Sequence, residues 1–129
     1  MKGVYCLIID IKKNISPIIG TLGKINFKKG KYVYVGSAQN NLEKRIARHL
    51  KKKKRKFWHI DYLLAKKNVK VINTYYKKAG KREECKIACL LALTEKPIKN
   101  FGNGDCRCIS HLFRIVKLNK KKIKKIFEK

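Results

Sequence analysis

Residues 32–50 read YVYVGSAQNNLEKRIARHL and change their hydrophobic period half-way along. The first four positions, residues 32–35, are all β-branched or aromatic, which is typical of a strand. Either Asn40 or Asn41 can then cap a helix. The apolar positions of that helix recur at helical spacing and are Leu42, Ile46 and Leu50. The stretch therefore predicts a strand followed by an amphipathic helix whose apolar side includes all three residues.

The segments on either side predict further strands of one sheet. Residues 3–11 place apolar side chains on both faces and predict a buried strand, and residues 69–75 alternate more weakly. Short strands are also expected at residues 18–19 and 25–27, before a turn at Gly30. Because short turns connect the first strands, the sheet is expected to be antiparallel and built from segments near 3–11, 25–36 and 69–75.

The remaining periodic segments predict helices around this sheet. They are residues 58–66, residues 82–94 and a basic tail from Asn119, with a last strand at residues 112–118. The chain has 129 residues and shows neither an internal repeat nor a linker-like composition. We therefore expect a single α+β domain over residues 1–129, in which a small central antiparallel sheet is flanked by helices and a basic helix covers about 119–129.

Charge narrows the choice of partner. Lysine and arginine total 35 residues against 8 aspartates and glutamates, a formal net charge of +27. A chain this basic repels itself unless it meets a polyanion, and nucleic acid is the abundant intracellular one. No segment has the apolar length to enter a bilayer, so no membrane partner is expected. The absence of a signal-peptide pattern and the odd number of cysteines, five, favour a cytosolic protein with reduced thiols or a metal.

The basic residues are concentrated between residues 44 and 56, where there are nine and no acid. They are Lys44, Arg45, Arg48, Lys51, Lys52, Lys53, Lys54, Arg55 and Lys56. A solvated lysine loop is the simpler explanation, but so much like charge favours a surface that binds phosphates. The tail lysines are less specific, because an amphipathic helix that covers the sheet accounts for them equally well.

A smaller group of residues has the chemistry of a phosphate-cleaving site. Arg45 and His49 are four residues apart and share one face of the predicted helix, at the edge between core and solvent. A guanidinium there can bind a phosphate oxygen, although such a pair is often only a surface feature. Gly36 lets the backbone approach a ligand or the following helix closely.

These residues resemble the GIY-YIG nuclease superfamily. Gly3-Val4-Tyr5 and Tyr34-Val35-Gly36 are similar to its two signature tripeptides, each with valine in place of isoleucine, and residues 37–49 are similar to the segment with its active-site arginine and histidine. Residues 58–64, Glu84-Cys85 and residues 101–112 resemble one uncharacterised archaeal and bacterial branch, domain of unknown function 123. That branch is sometimes fused to an endonuclease III-type glycosylase, which suggests DNA-repair proteins as partners.

The resemblance implies roles for individual residues. Tyr5 and Tyr34 would line the active site, and one of them would help to deprotonate the attacking water. Arg45 would stabilise phosphate charge, His49 would support the nucleophile or the tyrosine, and Glu84 would bind one Mg²⁺ or Mn²⁺ ion. Glu83 is the alternative metal ligand. The positions expected to contact nucleic acid are Gly36, Ser37, Arg48, Lys51, Lys52, Lys53, Lys54 and Arg55.

The function expected from this resemblance is metal-dependent hydrolysis of DNA phosphodiesters, selective for structure rather than for sequence. DNA is favoured over RNA as the substrate. The alternative is a non-catalytic protein that binds nucleic acid with the same fold, and a basic scaffold for a protein complex is a third class. Composition does not separate the first two, because a charge of +27 predicts nucleic-acid binding in both.

The loop formed by Asp105, Cys106, Cys108 and His111 belongs to the resemblance but carries no known role. Its Cys-x-Cys-x₂-His spacing supplies three metal ligands, whereas a structural zinc needs four. Cys6, Cys85 or Cys89 would complete a site only if the fold brought one of them close. A rigid loop with buried thiols is favoured over zinc, and a disulfide with a helix cysteine is a further option.

Overall fold

The computed structural model describes residues 1–102 and 107–128. Within these ranges five strands form one sheet in which every neighbouring pair is antiparallel. The strands are β1 (Gly3–Ile11), β2 (Gly30–Ala38), β3 (Val69–Lys77), β4 (Lys96–Pro97) and β5 (Leu112–Arg114). They lie in the order β3-β1-β2-β5-β4, so β1 is paired on both edges. This position explains why β1 is apolar on both faces.

Each face of the sheet has its own apolar core. Tyr5, Leu7 and Ile9 of β1 face one core cluster, whereas Val4, Cys6 and Ile8 face the other. Helices α1 (Leu42–Leu50) and α2 (His59–Leu64) pack into the first cluster, and α3 (Lys81–Ala92) and α4 (Lys120–Ile126) into the second. The predicted α+β fold, an antiparallel sheet flanked by helices, is confirmed.

Three of the predicted strand segments are wrong in detail. The segment predicted as a strand at 112–118 leaves the sheet after Arg114, because a buried carboxylate replaces the next strand partner. Oε1 of Glu95 accepts the backbone N–H groups of Val116, Lys117 and Leu118 at 2.7, 2.9 and 3.2 Å. Between β1 and β2, the segments at 18–19 and 25–27 form only isolated bridges around a 3₁₀ turn at Gly20–Leu22.

The basic tail begins at the predicted residue. Asn119 is the N-cap of α4, and its side-chain oxygen accepts the N–H of Lys122 at 2.9 Å. Ile123 is buried against the sheet while its lysine neighbours face solvent. Across the two described ranges, no helix is both long enough and apolar enough to span a bilayer.

Candidate active site

Tyr5 and Gly36 are direct neighbours across the β1–β2 pair. A Cβ atom on residue 36 would lie 2.5 Å from both the hydroxyl oxygen and the ring carbon that bears it in Tyr5. No side chain is compatible with that distance, so glycine is required for the tyrosine ring to lie over β2. The close approach expected at Gly36 is therefore made by Tyr5 of the chain itself.

The helical stripe predicts that His49 lies at the edge of the core, but the residue lies inside the core. Only 2% of its surface is exposed, whereas Leu50, which was expected to face inwards, is 55% exposed. The inward face of α1 follows Leu42 and His49, two helical turns apart. The imidazole is accommodated because its Nε2 atom lies 2.7 Å from the hydroxyl oxygen of Tyr5. The ring of Tyr34 approaches His49 edge-on, at 6.2 Å between ring centroids.

Burial keeps this group of side chains uncharged. Desolvation, strengthened by the nearby charge of Lys54, lowers the pKa of His49 to about 4, so its imidazole is neutral at pH 7. Desolvation also raises the pKa of Tyr5 and of Tyr34 above the usual value, and Arg45 only partly opposes this. Both phenols are therefore protonated, and the Tyr5 hydroxyl can donate to Nε2 when Nδ1 carries the imidazole proton.

Arg45 is held in place from two sides. Its Nη1 atom donates to the backbone oxygen of Ser37 at 3.0 Å, and its guanidinium lies over the ring of Trp58, 4.3 Å from the centroid. The ring of Trp58 packs beneath this cation. An arginine fixed in this way presents its remaining N–H donors in one orientation, which suits the recognition of a phosphate.

Glu84 of α3 reaches the same end of β2. Its Oε1 accepts the Ser37 hydroxyl at 2.5 Å, and its Oε2 lies 2.7 Å from Nδ1 of His111. Burial raises the pKa of Glu84, but the hydrogen bonds from His111 and Ser37 outweigh it, so the pKa falls below the usual value. Glu84 is therefore a carboxylate at neutral pH, and its negative charge acts on both Tyr5 and Tyr34.

The Glu84 carboxylate is a better ligand for a divalent cation than the Glu83 carboxylate, the alternative metal ligand. Glu83 is 2.7 Å from Nζ of Lys77 and its carboxylate is paired there. Each Glu84 oxygen has a partner but retains a further lone pair, and Mg²⁺ is commonly held by one or two protein carboxylates, with water and phosphate oxygens completing its coordination. The donor set is sparse and still compatible with one such ion.

Arg48 and Asp61 form an ion pair that links α1 to α2. The two terminal nitrogens of Arg48 each lie 2.9 Å from a carboxylate oxygen of Asp61, whose side chain is fully buried. Oδ2 of Asp61 also accepts the backbone N–H groups of Phe57 and Trp58, at 2.8 and 2.9 Å. Asp61 is thus fully engaged. Arg48, which is expected to contact nucleic acid, is paired with Asp61, and 28% of its side chain remains exposed.

The lysines expected to bind phosphates fall into two groups. Nζ of Lys52 donates to the carbonyls of Leu64, Lys66 and Val69, and Nζ of Lys54 donates to those of Arg48 and His49. These two lysines cap the carboxyl ends of α2 and α1, a use that favours cations there. Lys51, Lys53 and Arg55 are exposed at the surface.

Three further side chains meet beside Glu84. One potential ligand atom from each of Cys85, Cys108 and His111 lies within 4.8 Å of the other two, a group that could hold a metal ion. We call these residues the Cys85–His111 cluster. Thiolate and imidazole donors favour metals other than Mg²⁺. Of the loop residues highlighted in the sequence, Asp105 and Cys106 lie outside the described residues.

Comparison with known protein families identifies the family of this chain. The family model described as domain of unknown function DUF123 matches residues 4–129. The chain belongs to the DUF123 family. No match was found among curated proteins or among solved structures. The matched region of this DUF123 domain contains Tyr5, Tyr34 and Glu84, on β1, β2 and α3 respectively.

The neutral state of His49 predicts that the DUF123 domain loses stability in mild acid. The pKa of His49 is about 4 in the folded chain and about 6.5 in an unfolded one. Between these values the unfolded state binds more protons, so the stabilisation present above pH 6.5 is lost as the pH falls. We expect a decrease of about 2 kcal/mol between pH 7 and 4.5 in urea unfolding. His49→Gln should show a clearly flatter profile, and equal profiles would contradict a buried neutral His49.

Proposed function

We propose that this DUF123 domain is a GIY-YIG-type endonuclease that hydrolyses DNA phosphodiester bonds with one Mg²⁺ or Mn²⁺ ion. One observation carries the proposal: two adjacent residues of β2 connect the side chains expected to be catalytic. Gly36 leaves room for the ring of Tyr5, whose hydroxyl is hydrogen-bonded to Nε2 of His49. Ser37 accepts from Arg45 through its carbonyl and donates to Glu84 through its hydroxyl.

Each side chain has a distinct part in this proposal. The guanidinium of Arg45, fixed over Trp58, binds a non-bridging phosphate oxygen and stabilises its charge in the transition state. Glu84 holds the divalent ion, which neutralises phosphate charge and increases the acidity of water. Tyr34 packs against His49 and limits the access of solvent to it.

Tyr5 and His49 supply a route for a proton. The Tyr5 hydroxyl accepts the proton of the attacking water while passing its own proton to Nε2 of His49, 2.7 Å away. His49 is a weak base in the free protein because desolvation lowers its pKa. A phosphate beside the pair adds negative charge, which raises the pKa of His49 and favours this transfer. Substrate binding thus makes His49 a stronger base.

The net charge and the state of the cysteines bear on the partner and the compartment that we propose. The net charge of +27 and the exposed Lys51, Lys53 and Arg55 support a nucleic-acid partner beside the site. We favour DNA over RNA, selectivity for DNA structure, and DNA-repair proteins as partners, following the resemblance to GIY-YIG nucleases and their glycosylase fusions. Cys6 and Cys89 are free thiols, which is consistent with a reducing compartment such as the cytosol.

One observation favours a second function, nucleic-acid binding without cleavage. Both oxygens of Glu84 already have protein partners, and the residue is only 9% exposed. If these contacts exclude a metal ion, the same fold binds nucleic acid through its basic surface alone. The two functions differ in their need for metal.

A panel of labelled substrates tests the proposal. Branched, flapped, nicked and plain DNA, with RNA versions of each, are incubated with the wild-type protein with and without Mn²⁺. An endonuclease should cleave at least one DNA structure only when metal is present, and RNA more slowly. Salt-sensitive binding without cleavage of any substrate would favour the binding protein.

Binding should depend steeply on salt. If about five phosphates are neutralised, the logarithm of the affinity should fall against the logarithm of the salt concentration with a slope of about −4 to −5. Replacing both Lys51 and Lys53 with glutamine should reduce the slope by about 1 to 2, since both side chains are exposed. The same change at Lys120 and Lys121 is the matched control. A flatter slope in the control alone would place the binding surface on α4.

A further inference from the structure

We propose that the Cys85–His111 cluster binds a zinc ion through Sγ of Cys85, Sγ of Cys108 and Nε2 of His111. The ion would be structural, holding the segment around residues 108–111 against α3. This site has different donors from the proposed magnesium site and does not depend on nuclease activity.

The distances suit a tetrahedral ion. One potential ligand atom from each residue, a ring nitrogen in the case of His111, lies within 4.8 Å of the other two. Ligands at zinc–sulfur and zinc–nitrogen bond lengths are separated by about 3.3 to 3.8 Å in a tetrahedron, so shifts of about 1 Å are enough to close the site. The cluster joins residues that are far apart in sequence, because Cys85 lies on α3 and the other two lie next to β5.

His111 is oriented as a zinc ligand usually is. Its Nδ1 atom lies 2.7 Å from Oε2 of Glu84, and its side chain is almost fully buried. Ligating histidines usually donate one ring N–H to a carboxylate, which fixes the tautomer, and bind the metal through the other ring nitrogen. The Glu84–His111 contact thus selects Nε2 as the ligand atom.

Cys89 lies beside the cluster and is our candidate for the fourth ligand. It follows Cys85 by one helical turn on α3, and its Sγ lies 4.0 Å from that of Cys108. Residues four apart share a helix face, so both α3 thiols can approach one ion. Three thiolates and one imidazole form a common structural zinc site.

The site would also position Glu84. A zinc ion that holds Nε2 of His111 fixes the imidazole, and Nδ1 of the same ring is in contact with Glu84. Losing the ion should therefore loosen a carboxylate of the proposed nuclease site without removing any of its own side chains.

Zinc content is the direct test. Protein purified without chelator should contain about one zinc per chain by elemental analysis, and Cys108→Ser should lose at least nine-tenths of it. Cys6→Ala, which also removes a buried thiol from the same core, should keep it. Wild-type protein without zinc, or Cys108→Ser with undiminished zinc, would overturn the proposal.

Cobalt binding covers the case in which Cys108→Ser does not fold. Wild-type protein stripped of metal under reducing conditions and titrated with Co²⁺ should show thiolate-to-cobalt charge-transfer absorption that saturates at about one ion per chain. Zinc should then abolish this absorption. Its absence, or a disulfide between Cys108 and a helix cysteine in the purified protein, would refute the site. Neither measurement depends on DNA cleavage, so the two proposals can fail separately.

Discussion

Arg45→Ala should cleave DNA about 10²–10³-fold more slowly than the wild type while binding it only a few-fold more weakly. Arg45 is one of 35 basic residues, so its removal changes the overall attraction to DNA little. Its fixed position over Trp58 and against the Ser37 carbonyl matters more in the transition state, where negative charge develops on the phosphate oxygens. Single-turnover cleavage and equilibrium binding, measured on the same labelled DNA, separate the two effects.

Two variants make this comparison specific. Arg45→Lys should restore little activity, because an ammonium group cannot reproduce the planar guanidinium that stacks on Trp58. Arg82→Ala removes the same charge from an exposed position on α3 and should cleave normally. Normal cleavage by Arg45→Ala would show that Arg45 is a surface residue without a catalytic role.

Asp61→Asn should destabilise the fold by about 3 kcal/mol. The change removes the charge that faces both terminal nitrogens of Arg48 and weakens the acceptor for the N–H groups of Phe57 and Trp58, just before α2. The loss is smaller than for a wholly buried pair, since 28% of the Arg48 side chain is exposed. Urea unfolding at pH 7 measures it.

Asp10→Asn provides the matched control. Asp10 pairs with Lys31 at 3.0 Å between the strands β1 and β2, and both side chains are partly exposed. Breaking a pair of this kind costs less than about 1 kcal/mol. If Asp61→Asn were no more destabilising than Asp10→Asn, the ion pair between α1 and α2 would not be a main source of stability.

The backbone of the large strands could be predicted from the sequence because their signals are local. Residues 3–11 were predicted as a strand, and β1 occupies the same range, since apolar side chains on both faces suit a strand paired on both edges. The end of β5 could not be predicted in the same way. Glu95, which replaces the strand partner beyond Arg114, is distant in sequence, and nothing near 112–118 signals its presence.

Only part of the proposed site could be predicted from the sequence. Tyr5, Tyr34, Arg45 and Glu84 were selected by resemblance, and the contacts through Gly36 and Ser37 bring Tyr5, Arg45 and Glu84 to one end of β2. The burial of His49 did not follow from the helical stripe, because a stripe of apolar residues does not show that a polar residue of the helix has a partner on a strand.

The basic cluster illustrates a second limit of the sequence. A run of lysines does not show which members cap helices, and Lys52 and Lys54 do so by reaching carbonyls of α2 and α1. Lys51 and Lys53 alternate with them and are exposed. Their different environments follow from the direction in which the segment after α1 leaves the helix, which is a property of the tertiary structure.

Metal-dependent cleavage by the wild type and by Glu84→Gln tests the central claim most directly. The glutamine keeps the shape of Glu84 and can still accept the Ser37 hydroxyl, but it loses the charge that holds a divalent ion. We predict that the wild type cleaves its preferred DNA only with Mn²⁺ or Mg²⁺, and that Glu84→Gln binds the same DNA with the same salt dependence but does not cleave it. Equal metal-dependent cleavage by both proteins, or none by the wild type, would contradict the account.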